Sequence, residues 1–350
     1  MIALVPENYD IEKHVMAPLA QSLMREGEAV EVWADVPPVS GAAGDIEPLT
    51  QCAVQYMLWA ANHRYSRYRD APNSVPWWER RAQWYLNCWR QRLEESRPDV
   101  VLIWATHEVV SWSARLAAAE AGVPVAFLEN GLFPSQDGDV PVIITRDVPY
   151  YVLGASLDRA EWFASWEPHT QRVRDYGRWW RRLQQTKPGH QRLVALRETV
   201  VEPGDTVWFG QVEWDNALYV QPNVEQVLLD LRSAAEREGA WFKPHPRCPS
   251  PAVAVGYSRR LAADLNIHSI LSLPHIKVLT LCSNVALEAW FYAQETLVYG
   301  STFYGKTREE QDPGMSWQRL KVLDYVLSHL QIVRSDSPRI LARIRGDDVL

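Results

Sequence analysis

Short apolar runs alternate with longer amphipathic stretches along this chain, and that alternation restricts it to a layered α/β fold. Strands are predicted at Ile2–Val5, Ala29–Trp33, Val100–Trp104 and Val123–Leu128. Helices are predicted over 11–25, 49–69, 76–96 and 108–121, the last ending at Gly122, with a Pro- and Gly-bearing acidic loop over 35–48. Residues 155–200 read as helical, with no strand. The alternation then restarts, with strands at Thr206–Phe209, Ala240–Lys243, Ile276–Leu281 and Thr296–Tyr299. Helices are predicted between and after them, over 222–238, 252–264, 284–293 and 315–329. Strands joined through helices lie parallel in a doubly wound sheet. The expected architecture is therefore α/β. A Rossmann-like domain over 1–155 and a second over 201–350 would face each other across a cleft, with a helical connector over 156–200.

The 350 residues suit two domains of ordinary size, and a 47% hydrophobic fraction is ample for two cores. A net charge of −7 argues against a general nucleic-acid binder but leaves a small anionic ligand open, since local clusters decide that. Cys52, Cys88, Cys248 and Cys282 form no C-x-x-C pair, so reduced, mostly buried thiols are expected. The opening Met-Ile-Ala-Leu-Val is too short for a signal core, and no apolar stretch reaches the roughly 20 residues that span a bilayer. A soluble, cytoplasmic protein is expected, with peripheral attachment at a membrane left open. The 17 tryptophans could stack on sugars, yet each is more ordinarily a core residue with one polar handle.

Three segments carry the chemistry, each following a predicted strand. In a parallel sheet the C-terminal strand ends open onto one crevice, so all three could face one ligand. Ser283-Asn284-Val285-Ala286-Leu287-Glu288-Ala289 begins a helix with good N-cap residues, where exposed N–H groups favour an anion; Glu288, about a turn later, could accept bonds from ribose hydroxyls. Lys243-Pro244-His245-Pro246 holds a cation and an imidazole in a stiff turn, able to meet a phosphate. Gly210-Gln211-Val212-Glu213-Trp214-Asp215-Asn216 places Asp215 beside that site, where a carboxylate needs a purpose, such as attack on an anomeric carbon. Each segment also has a plain reading: a capped helix with a surface Glu, a proline-stiffened loop, and a loop Asp capping the next helix.

Glu129-Asn130-Gly131, after the strand Val123–Leu128, could supply a second carboxylate for acid/base work. The loop Phe133–Asp139 could meet an acceptor. Its Asp137-Gly138-Asp139 looks like a metal motif only superficially, and no metal is expected. The basic stretch Arg172–Arg182, with Trp179-Trp180, fits an anionic surface or a solvated helix face.

Taken together, these residues resemble the retaining β-Kdo glycosyltransferases of bacterial capsule and O-antigen or lipopolysaccharide synthesis. Kdo is 3-deoxy-D-manno-oct-2-ulosonic acid, and CMP-β-Kdo is its donor. The resemblance rests on Gln211–Asp215, on Lys243-Pro244-His245-Pro246, on Leu281–Ala289, and on Tyr299-Gly300-Ser301-Thr302-Phe303-Tyr304-Gly305-Lys306. It is strongest over roughly 205–310. It implies a GT-B-like fold with the donor on the C-terminal domain, and metal-independent transfer without a cofactor. By this resemblance Asp215 would be the nucleophile and Glu129 the acid/base. His245 and Lys243 would hold the CMP phosphate with Ser283 and Asn284, and Glu288 would bind ribose. Gln211 belongs with the donor site, and Asn130, Asn216 and Tyr304 with sugar or acceptor contacts. The implied partners are CMP-Kdo and a glycan or lipid-linked saccharide acceptor, and the chain could be one module of a larger transferase. Gly305-Lys306-Thr307-Arg308 departs from the continuation usual in capsule enzymes and points toward the divergent O-antigen type. Two other readings stay open: a GT-B transferase using a different CMP- or UDP-sugar, and a non-catalytic glycan-binding module. The binding module predicts loss of the carboxylates, whereas Asp215 and Glu129 are both present.

Overall fold

The structure, a computed structural model, describes residues 1–6, 12–33, 75–104, 109–139, 141–146, 165–186, 201–212, 218, 223–300, 302, 304 and 317–347. In chain order the first elements are β1 (Ile2–Val5), α1 (Ala17–Arg25), β2 (Val30–Val32), α2 (Val75–Ser96), β3 (Val100–Trp104), α3 (Val109–Glu120), β4 (Val125–Asn130) and β5 (Pro141–Arg146). There follow α4 (Thr170–Thr186), β6 (Thr206–Phe209), α5 (Val224–Arg237), β7 (Trp241–Lys243), α6 (Ile267–Leu271), β8 (Lys277–Thr280), α7 (Val285–Trp290), β9 (Glu295–Val298), α8 (Trp317–Tyr325), β10 (Gln331–Val333) and α9 (Ser337–Arg345). The fold class is α/β, as expected. The expected helix over 49–69 and loop over 35–48 lie outside the described residues.

The chain forms two compact units, Met1–Tyr150 with Leu330–Leu350, and Tyr151–His329. The first carries a six-stranded sheet in the order β10-β5-β4-β3-β1-β2, parallel from β2 through β4. Its strands are apolar on both faces because helices cover both, and Ala3, Leu4, Val5, Leu102 and Ile103 are fully buried. A π-helical turn, Glu12–Met16, leads into α1, where Pro18 sits in the first turn and its missing N–H costs no ladder bond. Trp33 stacks on Trp89 at 5.8 Å, and the Trp89 indole N–H donates to the Val110 carbonyl at 3.1 Å.

The second unit carries an all-parallel sheet in the order β7-β6-β8-β9. Side chains alternate along β6. Val207 and Phe209 join one core with Val278, while Trp208 joins another with Phe242 and Leu279. Among the described residues, no helix is long and apolar enough to cross a membrane.

The expected division of the chain needs correction. The 201–350 segment does not stay together, because β10 pairs antiparallel with β5, bringing Ile332 opposite Val142. The α9 helix sends Ile340 and Ile344 into the first core, and the Ser337 and Ser22 hydroxyls meet at 2.6 Å. Gln331 Oε1 accepts from the Phe133 amide at 3.1 Å, and Asp139 accepts from Ser335 Oγ at 2.6 Å. Of the expected connector over 156–200, the described helix α4 belongs to the second unit.

Two element assignments also change. The expected helix over 252–264 is only a 3₁₀ turn, Ala252–Ala254. Gly256 turns the backbone left-handed (φ 75°), and 259–261 runs extended beside β7: the Phe242 amide donates to the Arg259 carbonyl and the Leu261 amide to the Phe242 carbonyl. Glu129 and Asn130 are not beyond β4 but are its last residues, opposite Ile143 and Val142 of an antiparallel β5.

Ile340 is fully buried in the first core. Ile340→Ala is expected to cost about 2–5 kcal/mol. Hydrogen exchange should show faster opening of β1 and β3 with β6 and β8 unchanged, and equal acceleration in both sheets would contradict the assignment of α9 to the first unit.

Candidate functional site

The C-terminal ends of the second unit's strands are tied to one another by specific bonds. Gly210, just after β6, donates its amide to the Lys243 carbonyl at 2.8 Å. A Cβ there would lie 2.9 Å from the Phe242 ring, so only glycine allows this approach. The next residue, Gln211, turns its Oε1 to the end of β8, accepting from the Cys282 amide at 3.3 Å and from its thiol at 3.1 Å. The buried Tyr304 hydroxyl donates to the Cys282 carbonyl at 2.8 Å, and the Gly300 amide donates to the Leu281 carbonyl at 2.8 Å. Gln211, Lys243, Cys282 and Tyr304 are thus brought together at the C-terminal end of the strands, as the parallel topology predicts.

Lys243 is 2% exposed, and its Nζ donates to the carbonyls of Pro244 at 2.9 Å and Ala263 at 2.7 Å. Two of its three donors are therefore held by backbone, and burial pulls its pKa down to about 8. His245 is partly exposed at the turn that follows. Its Nδ1 accepts from the Arg247 amide at 3.1 Å, so the neutral ring carries its proton on Nε2. The Cys248 amide closes the turn on the His245 carbonyl at 2.9 Å.

The helix start after β8 differs from the expected cap. Asn284 holds helical backbone angles and makes no side-chain cap; instead Ser283 Oγ accepts from the Val285 amide at 3.4 Å. The Ser283 carbonyl takes the Ala286 amide. The helix α7 stops at Trp290 rather than 293, so its dipole is small.

Glu288 sits in a buried network. Its Oε2 is 3.2 Å from His268 Nε2, and His268 Nδ1 is 3.3 Å from the Tyr292 hydroxyl. Burial first, and then the Glu288 charge, push the Tyr292 hydroxyl up to about 12 and raise that of Tyr176 as well. A phenol held protonated donates to Nδ1, which leaves Nε2–H to donate to Glu288. Trp180 packs edge-on against His268 at 5.7 Å. The carboxylate is therefore oriented by groups from α6 and from the turn after α7. Sequence reasoning missed His268 and Tyr292, whose role comes from packing, and Cys282, which acts mainly through its backbone. It also passed over Thr302, inside the quoted Tyr299–Lys306 segment, whose buried Oγ1 has no protein partner among the described residues.

Asp215 and Asn216 lie outside the described residues. Their neighbours on either side are placed: Gln211 bonds Cys282, and Leu218 is buried in the core that contains Cys282. Glu129 and Asn130 belong to the first unit, so the strand ends of the second do not include them. In the Asp137-Gly138-Asp139 turn, the Asp139 amide donates to Asp137 Oδ1 at 3.4 Å. Among the described residues no group of three or more His, Cys, Asp or Glu side chains could hold a metal ion. Cys88, Cys248 and Cys282 are buried and take part in no disulfide, and Cys52 lies outside the described residues.

No protein-family model and no curated protein matches the chain. Among solved structures it is similar to a Thermosulfurimonas dismutans KpsC beta Kdo 2,7 transferase, at 13% identity and a TM-score of 0.49, over 99% of each chain. It is also similar to a KpsC beta Kdo 2,4 transferase of that organism, at 18% identity and a TM-score of 0.47, over 65% of this chain and 79% of that one. A third similarity is to UDP-GlcNAc 2-epimerase from Neisseria meningitidis bound to UDP-GlcNAc, at 14% identity and a TM-score of 0.40, over 99% and 100%. At these identities and TM-scores the likenesses carry no argument about chemistry.

The depressed Lys243 pKa makes a pH prediction. Between about 8 and the unfolded value near 10.4, the unfolded chain binds the proton that the folded chain has released. Stability contributed by Lys243 therefore rises with pH across that window, by on the order of 2–3 kcal/mol. Denaturant midpoints of the wild type and Lys243→Met, compared at pH 7.5 and 10, should show the wild type gaining relative to the variant. Parallel curves would contradict the assignment.

Proposed function

We propose that this chain is a CMP-Kdo-dependent, retaining glycosyltransferase with a GT-B-like fold, moving Kdo to a glycan or lipid-linked acceptor in bacterial surface polysaccharide synthesis. The observation that supports this reading is the joining of Gln211, the Lys243–His245 turn, Cys282-Ser283 and Tyr304 at the C-terminal strand ends of a parallel sheet. Those elements are the ones whose sequence resembles the donor site of β-Kdo transferases.

In the first step Asp215 attacks the anomeric carbon of Kdo, and the bond to the CMP phosphate breaks with its electron pair leaving on CMP. His245, donating from Nε2, meets the charge that grows on that phosphate, and Ser283 and Asn284 lie beside it. Lys243 supplies its positive charge from below the turn. Glu288, oriented by His268 and Tyr292, accepts from the ribose hydroxyls. In the second step Glu129 takes the proton from the acceptor hydroxyl, which attacks the same carbon and releases Asp215. Two inversions retain the β configuration, and no metal or other cofactor enters either step. Tyr304, Asn216 and Asn130 are assigned to sugar or acceptor contacts. We assign the enzyme to the cytoplasm, leave peripheral attachment at the inner membrane open, and allow for it being part of a larger multi-domain transferase.

Intact mass after incubation with CMP-Kdo is expected to rise by one Kdo residue. Asp215→Ala should lose that adduct and roughly 10³-fold or more of turnover while still binding CMP. Glu129→Gln should form the adduct and fail to discharge it to acceptor. Full turnover in Asp215→Ala would remove the nucleophile, and CMP binding with no adduct in the wild type would favour a different CMP-sugar.

A further inference from the structure

A cavity of about 820 Å³ lies in the Tyr151–His329 unit, walled by segments that directly precede β8 and β9. It therefore sits at the N-terminal end of the sheet, away from the strand ends that carry the candidate site. Arg174, Arg178 and Arg181, spaced i, i+4 and i+7 on α4, share one helix face and line it. No Asp or Glu lines it among the described residues, in a chain whose net charge is −7. A merely solvated helix face more often mixes the two signs.

The carbonyls at this end are already engaged. Gln294 Nε2 donates to the Leu271 and Leu273 carbonyls at 2.6 and 2.7 Å, and Arg181 donates to the Phe291 carbonyl while its guanidinium lies 5.9 Å from the Tyr292 ring. Arg178 pairs with Asp175, which is not part of the wall. Arg174 makes no hydrogen bond or ion pair among the described residues. On the facing wall His275 and Ala293 both hold left-handed backbone, with φ of 58° and 56°, two of the four such non-glycine residues described. Backbone of that kind gathers where a ligand or a tight turn demands it.

We propose that this cavity is a second binding site that takes a phosphate-bearing anion, with Arg174 and Arg178 as donors beside the anchored Arg181. A guanidinium matches two phosphate oxygens at once, and the volume suits a small phosphorylated molecule or the head group of an anionic lipid. None of the residues assigned above to the donor or acceptor lines this cavity, which shares Tyr292 with the network that orients Glu288.

The test uses the full chain with saturating CMP present, so that a nucleotide site cannot account for binding. Inorganic pyrophosphate is titrated calorimetrically, and co-sedimentation is measured with phosphatidylglycerol and with phosphatidylcholine vesicles. The expected result is saturable binding of pyrophosphate, of phosphatidylglycerol vesicles or of both, weakened at least tenfold in Arg174→Gln/Arg178→Gln with an unchanged melting temperature. Pyrophosphate binding identifies a soluble source for the phosphate; binding of phosphatidylglycerol vesicles alone identifies a lipid source. Binding that the double variant leaves intact, or no binding of either probe, overturns the proposal. Should the double variant melt early, Arg174→Gln alone, at an exposed position with no partner among the described residues, is the deciding variant, with at least a threefold loss expected.

Discussion

The backbone of Cys282 is the point on which the second unit's candidate site depends. Its amide and thiol are held by Gln211 from the end of β6, and its carbonyl is held by Tyr304 from beyond β9. These bonds join three strand ends that a parallel sheet by itself would leave as separate loops. Gly210 completes the arrangement by letting β6 reach the Lys243 carbonyl, against an aromatic ring that leaves no room for a side chain. A buried donor left without its acceptor costs about 1–3 kcal/mol, so the Gln211 side chain is a structural strut as well as a candidate ligand contact.

Burial and hydrogen bonding give three of the candidate side chains different freedoms. Lys243 is buried, which lowers its pKa, and its ammonium is held on two carbonyls, which keeps it nearly stationary. Glu288 is kept in place by a hydrogen-bonded chain through His268 to Tyr292. His245 alone among the three lies on an exposed turn, with its tautomer set by one backbone amide. Tyr292 also belongs to the arginine-lined cavity, through its ring beneath Arg181. One side chain thus touches both the network that orients Glu288 and the wall of the second cavity.

Much of the framework was legible in the sequence because buried parallel strands read as uninterrupted apolar runs. The strand Val100–Trp104 appears at its expected bounds, and Ile2–Val5 and Thr206–Phe209 do too. The antiparallel strands β5 and β10 were missed: β5 carries the apolar run Val142-Ile143-Ile144 but opens on Pro141, and β10 is only three residues long. The stretch after Pro251 looked helical by composition, but Gly256 and the pairing of 259–261 beside β7 outweighed a weak intrinsic preference. In the candidate site, the positions of Gln211, Lys243, His245 and Ser283 at strand ends followed from the alternation. The partners of Lys243 and Glu288 did not, since Ala263, His268 and Tyr292 come from segments with no spacing signal toward them.

The sequence by itself determined the α/β class, the chain order of the chemistry-bearing segments and their place just after strands. Those properties follow from local periodicity, which each segment carries alone. Only the tertiary structure decided that the last residues return to the first sheet and that Lys243 spends its charge on backbone. It alone placed a histidine against Glu288 and three arginines around a cavity at the far end of the second sheet. Each of these depends on contacts between residues distant in the chain, whose pairing is set by packing and hydrogen-bond geometry rather than by any pattern within one segment.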